Sequence, residues 1–519
     1  MNFVDIELPY DEAENYFQKS NKEKLKGFFY KGSVFEKLKE ETTYFLIGEK
    51  GSVKTAYSAY FCNNAVANIS SKRYCITVDD YNKLIQMKKD KKLDYTHFTT
   101  LWKATLLIKL LVSLEKREVS FWGSKSYENL RTILEKYNFT KITMDSFSPM
   151  SMMDNSKFTR EIGGNLTGEH YELKGEQQKT TEQGIKYESN VYIDNWVKIL
   201  NDISAELERL KLKNIHYLFV DGIDVRPPEI DYSSYKECVF PLVRAVYELN
   251  SELLSRKKKK KKGRLQIILL SRLDIFLEAG LGNPGSKIQD NSAFIEWNIT
   301  NENHYETSAI YQVVNSILAQ KDNQVSWDDY FNYKIYRGKY KSFDSFVYFM
   351  RLTTGKPRDY IKVLKIAQEC CKTQHLSNPN ANVVESDYFQ KGYSIYFVDS
   401  VRTALSFYYS NDEIDILFDL LKTIKKNKLK ISEFKNKVEA YKNNLRLFEI
   451  FGDANKILEL LFCYNMIGIS EPKGLYRWKH KETTIANYNL KLQPEFVDEK
   501  TNLVFNWALE KEFGMYLDI

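Results

Sequence analysis

The chain has few of the residues that staple, anchor or metallate a protein. Its six cysteines (Cys62, Cys75, Cys238, Cys370, Cys371 and Cys463) show no C-x-x-C or other metal-ligand spacing, so neither a disulfide framework nor a zinc site is indicated. The adjacent Cys370-Cys371 pair reads as helix packing. Six histidines (His97, His170, His216, His304, His375 and His480) are equally scattered, and His216, at the start of an apolar run, reads as structural. No G-x-S-x-G element supports a serine hydrolase. Long hydrophobic runs are missing: the best, Ala104 to Leu114, is broken by Lys109 and is too short to span a bilayer. The N-terminus, Met1 to Glu7, is acidic and lacks a secretory n-region, so the expectation is a soluble, cytoplasmic protein with no membrane partner. An excess of one charge is absent as well. With 76 Lys and Arg against 69 Asp and Glu, the net charge of +7 leaves only local clusters to suggest nucleic acid.

One missing glycine matters more than these. In Tyr44-Phe45-Leu46-Ile47-Gly48-Glu49-Lys50-Gly51-Ser52-Val53-Lys54-Thr55, Val53 stands where the phosphate-loop pattern G-x-x-x-x-G-K-[ST] requires glycine. Phe45-Leu46-Ile47 reads as a buried strand and Ala56 to Phe61 as a helix starting just after Lys54. Such a loop cradles phosphates with successive backbone N–H groups at the positive end of the helix. The cradle here is Gly48, Glu49, Lys50, Gly51, Ser52, Val53, Lys54, Thr55 and Ala56, with Lys54 as the point charge for the β- and γ-phosphates and the Thr55 hydroxyl on Mg²⁺. A β-branched residue resists the backbone angles that glycine supplies, so Val53 predicts weakened binding.

Further polar residues follow apolar runs in order. Ile215 to Val220 runs into Asp221-Gly222-Ile223-Asp224, which puts Asp221 at a strand end for Mg²⁺ and Asp224 where it would position the attacking water. Leu265 to Leu270 ends in Ser271-Arg272. Ligands of parallel α/β sheets lie beyond the carboxyl ends of the strands, so both would sense phosphate there; the competing reading pairs Arg272 with Asp274. Thr354-Gly355-Lys356-Pro357-Arg358-Asp359 opens a helix from whose start Arg358 would swing onto phosphates, or else lie on the surface.

Taken together, the phosphate loop, the strand ending Asp221-Gly222-Ile223-Asp224, Arg272-Leu273-Asp274-Ile275-Phe276, Asp290-Asn291-Ser292 with Trp297, and Gly355-Lys356-Pro357-Arg358-Asp359 resemble a bacterial family of P-loop ATPases related to the origin-recognition and STAND branches of AAA+ proteins. The resemblance runs from about Phe28 to the C-terminus. It implies ATP and Mg²⁺ as cofactors, Lys54 and Thr55 on nucleotide, Asp221 on the metal, Arg272 near sensor 1 and Arg358 as a sensor-2 arginine. The implied fold is α/β: a P-loop NTPase core on a parallel sheet, a helical lid and a winged-helix-like C-terminal domain. The expected boundaries are a lead-in over 1–40 packing on the core, the core over 41–300 with an insertion at about 98–200, the lid over 301–400 and the winged helix over 401–519.

Local features fill in this scheme. Tyr74 to Asp79 reads as a second strand, Phe98 to Lys116 and Cys238 to Leu254 as helices, and Gly163 to Asn190 as an exposed insertion or hairpin. Arg256 and Lys257 through Lys262 read as a solvated loop or an anion contact. Lysines crowd the region from Lys422 to Lys442. A helix follows from about Asp453 to Met466, stopped by Gly468, and Leu475 to His480 pairs with Asn487 to Leu492 as a wing. Arg477, Lys479 and Lys481 on that wing would meet DNA phosphates. The expected activity is an ATP-dependent switch, hydrolysing the β–γ bond if Val53 is tolerated, that assembles as a homo-oligomer or with a protein partner in a DNA-linked or phage-defence process. The alternatives are a pseudo-ATPase scaffold and a basic nucleic-acid-binding interaction protein.

Overall fold

The computed structural model describes residues 2–91, 93–137, 139, 182–255, 263–297, 302–319, 325–337, 341–470, 476–482, 484–485 and 498–516. The lysine run 257–262, the insertion residues 163–181 and the expected wing strand 487–492 lie outside them. The chain forms two compact units, one made of Met1–Phe35, Gly48–Ala56 and Phe294–Ile519, the other of Glu36–Ile47 and Tyr57–Ala293.

The second unit is built on a five-stranded parallel sheet. Its strands are β1 (Phe45–Ile47), β2 (Ile69–Cys75), β3 (Ile215–Asp221), β4 (Leu265–Ser271) and β5 (Ser292–Phe294), in the spatial order β2-β3-β4-β1-β5. Contiguous apolar runs make the three central strands, which are buried along almost their whole length, as a sheet covered on both faces requires. Register brings their ends level: Ile47 lies opposite Ser271, Val220 opposite Leu269, and Cys75 opposite Asp221. Asp221 and Ser271 therefore both finish at the carboxyl edge, where β1 also ends. Helices Val78–Lys91, Tyr95–Ser113, Glu182–Leu207, Tyr232–Val239 and Pro241–Glu248 belong to the same unit. Trp102, fully buried on the second of these, donates its indole N–H to the Cys238 carbonyl at 2.8 Å.

Three expectations shift here. The second strand is Ile69–Cys75, and the residues read as its end, Val78 and Asp79, begin a helix instead. Expected insertion residues 182–190 open the long helix Glu182–Leu207. The Cys238–Leu254 helix is divided in two by Pro241 and ends in a π-helical stretch, Leu249–Leu254.

The first unit is mostly helical. Its core gathers Trp327 stacked on Phe331 with 4.1 Å between ring centroids, Phe346 edge-on to Trp327, and Phe3 against Phe331 at 5.4 Å. Of the lead-in expected over 1–40 to pack on the P-loop core, Phe3 and Ile6 instead join the hydrophobic core of the 294–519 segment. Within the unit, β6 (Lys334–Arg337) and β7 (Lys341–Asp344) form a hairpin. The helix Pro357–Thr373 starts with proline at its first position, where no N–H is needed, and buries Tyr360, Val363, Leu364, Ala367 and Cys371 at helical spacing. Near the C-terminus, β8 (Lys428–Lys430), β9 (Ile467–Ser470), β10 (Tyr476–Arg477) and β11 (Asn502–Phe505) form a sheet of order β10-β9-β11-β8. Helices Ile431–Glu439, Asn444–Phe451 and Ala454–Cys463 fall between β8 and β9. Gly468 does not stop the last of them but lies inside β9; the turn is made by Asn465 at φ 57°. Among the described residues, no helix is long and apolar enough to cross a membrane.

Candidate functional site

In the first unit, residues 48–55 wrap into a closed loop around their own lysine. Ser52 donates its backbone N–H (3.2 Å) and its hydroxyl (2.7 Å) to the Glu49 carbonyl, and Lys54 Nζ lies 3.0 Å from the carbonyls of both Gly48 and Glu49. Lys54 is buried and is the first residue of the helix Lys54–Asn63; Thr55 follows it, half-buried. Gly51 takes φ 82° and Val53 takes φ 65°. A left-handed backbone is a true outlier for a β-branched residue. The loop thus adopts at Val53 the conformation that the missing glycine would have supplied.

Two more cations stand at this loop. A Cβ built on Gly51 would meet Lys356 Cδ at 3.7 Å and the Arg358 Cβ and Cδ at 3.8 Å. Lys356 reaches Glu49 with Nζ 2.8 Å from the carboxylate, and Arg358 reaches Glu12 at 3.3 Å. Burial pushes the Glu49 carboxyl up, but Lys356, helped by Lys479, overrides it and holds Glu49 down at about 2. The turn carrying both cations is fixed by Asp359, which accepts from Thr354 N–H (2.9 Å), the Thr354 hydroxyl (2.5 Å) and the Tyr396 hydroxyl (3.0 Å). Trp297 donates its indole N–H to the Ser52 carbonyl at 3.4 Å. His480 lies by the same turn, with Asn465 Oδ1 2.8 Å from its N–H and 2.9 Å from its Nδ1. Burial and Lys481 push its imidazole down to about 3, so it is neutral at ordinary pH.

One part of the expected wing takes another form. Residues Lys479–Glu482 form a short helix, Lys479 is only 4% exposed, and Lys481 pairs with Glu302 at 2.9 Å. The strand Tyr476–Arg477 pairs antiparallel with β9. Lys479 is thereby turned to the protein interior rather than to an external phosphate, while Lys481 is committed to an acid in a half-buried pair.

In the second unit, Asp221 closes β3 and is nearly buried. Its Oδ2 accepts from an Arg73 terminal nitrogen at 2.7 Å, and its Oδ1 accepts from the Gly222 N–H at 2.9 Å. Gly222, at φ 100°, has no room for a side chain: a Cβ would lie 2.8 Å from the Ile76 carbonyl oxygen. Two tyrosines hold the turn. Tyr81 donates to the Gly222 carbonyl at 2.5 Å and Tyr235 to the Ile223 carbonyl at 2.6 Å, with Asp224 half-buried next in the chain. Ser271 is fully buried and donates its hydroxyl to the Arg272 carbonyl at 2.9 Å. Arg272 grips Asp274 through both Nε, at 3.0 Å, and a terminal nitrogen. The ion-pair reading of Arg272 is therefore the one the structure displays.

The sequence reading missed a buried chain of hydrogen bonds in this unit. Ser113 Oγ lies 2.8 Å from His216 Nε2, and His216 Nδ1 lies 2.9 Å from Glu118. The spacing is that of a Ser-His-Glu triad, but His216 is 0% exposed and the Ser113 hydroxyl also donates to the Leu110 carbonyl at 2.7 Å. A nucleophile needs access, so this is a staple joining the end of the helix Tyr95–Ser113 to the start of β3. Burial raises and His216 lowers the Glu118 carboxyl, which ends at about 2.

The structure thus brings Lys54 together with Lys356 and Arg358 in one unit, and places Asp221, Ser271, Arg272 and Asp224 at strand ends or turns of the other. Arg73, Lys356, Tyr81 and Tyr235 were not picked as site residues, and Glu49 was picked only for its place in the phosphate loop. Only Lys356 carried a visible signal, as the neighbour of Pro357. No protein-family model, no curated protein and no solved structure matches the chain.

Proposed function

We propose that the chain binds a nucleoside triphosphate, ATP in the first instance, through residues Gly48–Ala56, as an AAA+/STAND-like switch. The observation that carries this reading is the convergence of Lys54, Lys356 and Arg358 on a loop with left-handed backbone at Gly51 and Val53. Three cations around a tight loop at a helix start suit a polyphosphate, and Lys356 and Arg358 hold carboxylates that an incoming anion would exchange for phosphate. Calorimetric titration with ATP tests it. The expected results are saturable binding that Lys54→Ala weakens by at least about tenfold, the loss of one charge-assisted contact, and that Val53→Gly tightens. Absence of binding in both the natural chain and the Val53→Gly variant would sink the proposal.

Holding without turnover is the second reading. It is favoured by Val53 and by the commitment of Asp221 to Arg73. Malachite-green phosphate release from the natural chain and Val53→Gly separates a slow ATPase from a pseudo-ATPase.

The order β10-β9-β11-β8, with helices between β8 and β9, supports a winged-helix-like C-terminal domain. Any nucleic-acid contact there falls to the exposed Lys425, Lys428, Lys430, Lys437 and Lys442, not to Lys479. DNA affinity that declines with salt and weakens in Lys428→Gln/Lys430→Gln is the expected signature.

A further inference from the structure

We propose that Asp221 is not a metal ligand in this protein: the Arg73 guanidinium is the resident cation at the end of β3. The proposal stands on the geometry of the sheet alone.

The register of β2 on β3 makes this pairing. Cys75 lies opposite Asp221 and Arg73 opposite Phe219, so Arg73, two residues back on the same face, points its long side chain along β2 toward the carboxyl edge. It passes Cys75, with a terminal nitrogen 3.8 Å from the sulfur, and ends on Asp221 at 2.7 Å. The side chains are 12% and 7% exposed. The other carboxylate oxygen takes the Gly222 N–H, on a turn that Tyr81 and Tyr235 hold from the far side. Both oxygens of Asp221 therefore already have donors.

A divalent cation fits this carboxylate poorly. Mg²⁺ keeps most of its water and demands octahedral room, so it would have to displace a guanidinium whose charge cannot be given up. The displaced arginine would be left desolvated beside a dication, and removing one partner of a buried pair is strongly unfavourable. Among the described residues, no group of three His, Cys, Asp or Glu side chains gathers to hold a metal.

The test is a metal titration of the chain. Mn²⁺ binding followed by electron paramagnetic resonance is expected to be the same for the natural chain and Asp221→Asn. In Arg73→Gln, Asp221 is released, and Mn²⁺ binding is expected to become at least about tenfold tighter than in Arg73→Gln/Asp221→Asn. Two results overturn the proposal: a Mn²⁺ site in the natural chain that Asp221→Asn removes, or a folded Arg73→Gln chain that binds Mn²⁺ no better than the natural chain. If Arg73→Gln does not fold, recovery of folding in Arg73→Gln/Asp221→Asn supports the pair, and the natural-chain comparison decides in any case.

Discussion

At Val53 a single side chain opposes the backbone that carries it. The left-handed region costs a residue with a Cβ about 1–2 kcal/mol, and glycine returns part of that as extra freedom in the unfolded chain. Val53→Gly is therefore expected to raise stability by about 1 kcal/mol, read as a higher denaturation midpoint, and to tighten ATP binding in the same preparation. Glu49 poses the opposite case, a native anion on a cation that a phosphate would need. Glu49→Gln should strengthen triphosphate binding several-fold by calorimetry; unchanged or weaker binding would count against an exchange at Lys356. Glu49 also has a pH signature. Its carboxyl is lowered from 4.5 to about 2 on folding, so its stabilisation is complete above pH 4.5 and is lost as pH falls from there through 2.

At the scale of elements, what could be read in advance depended on whether the signal was local. β1, β3 and β4 are mainly apolar runs, and Pro357 marks a helix start, so each was found close to its place. β2 was misplaced because Ile69–Cys75, on an edge of the sheet, carries the unbroken polar stretch Ser70 to Arg73, while the more apolar-looking Tyr74–Asp79 runs into a helix. The identity of Lys54 and Asp221 as candidates was legible, but their partners were not. Arg73 meets Asp221 only through a strand register, and Lys356 meets Glu49 across some three hundred residues of chain. The Ser113–His216–Glu118 staple was hidden for the same reason. Removing one member of a buried, hydrogen-bonded pair costs about 3–5 kcal/mol, so His216→Ala should lower the urea midpoint sharply, whereas surface changes nearby should not. Glu118 is held at about 2, so the natural chain should lose stability from pH 4.5 downward, and Glu118→Gln should flatten that slope in urea titrations across pH. Asp359→Ala, which frees Thr354 and Tyr396 from the turn bearing Lys356 and Arg358, should weaken ATP binding with no change in the charge of either cation.

For the molecule as a whole, the expectation that can be tested without a ligand concerns autonomy. The sheet of the second unit has β1 between β4 and β5, yet β1 belongs to the separate segment Glu36–Ile47. A fragment spanning 57–293 would lack a central strand and leave the inner edge of β4 unpaired, so it should be insoluble or molten by circular dichroism and dye binding, while a fragment that keeps residues 36–47 by linkage should recover. Assembly is a separate matter, and light scattering with and without ATP checks it: a constant mass would remove oligomerisation from the proposed switch.

The path of the chain has a consequence for how such a protein can change over time. It passes between its two units four times, at Phe35, Ile47, Ala56 and Ala293, and the short stretch Gly48–Ala56 is a loan from one unit to the other in the middle of the sequence. Neither unit is a continuous piece of gene. A single recombination or a single proteolytic cut always breaks the first unit, and any fragment that keeps the whole second unit also carries Gly48–Ala56 of the first, so the residues of the loop between β1 and its helix stay under the constraints of both.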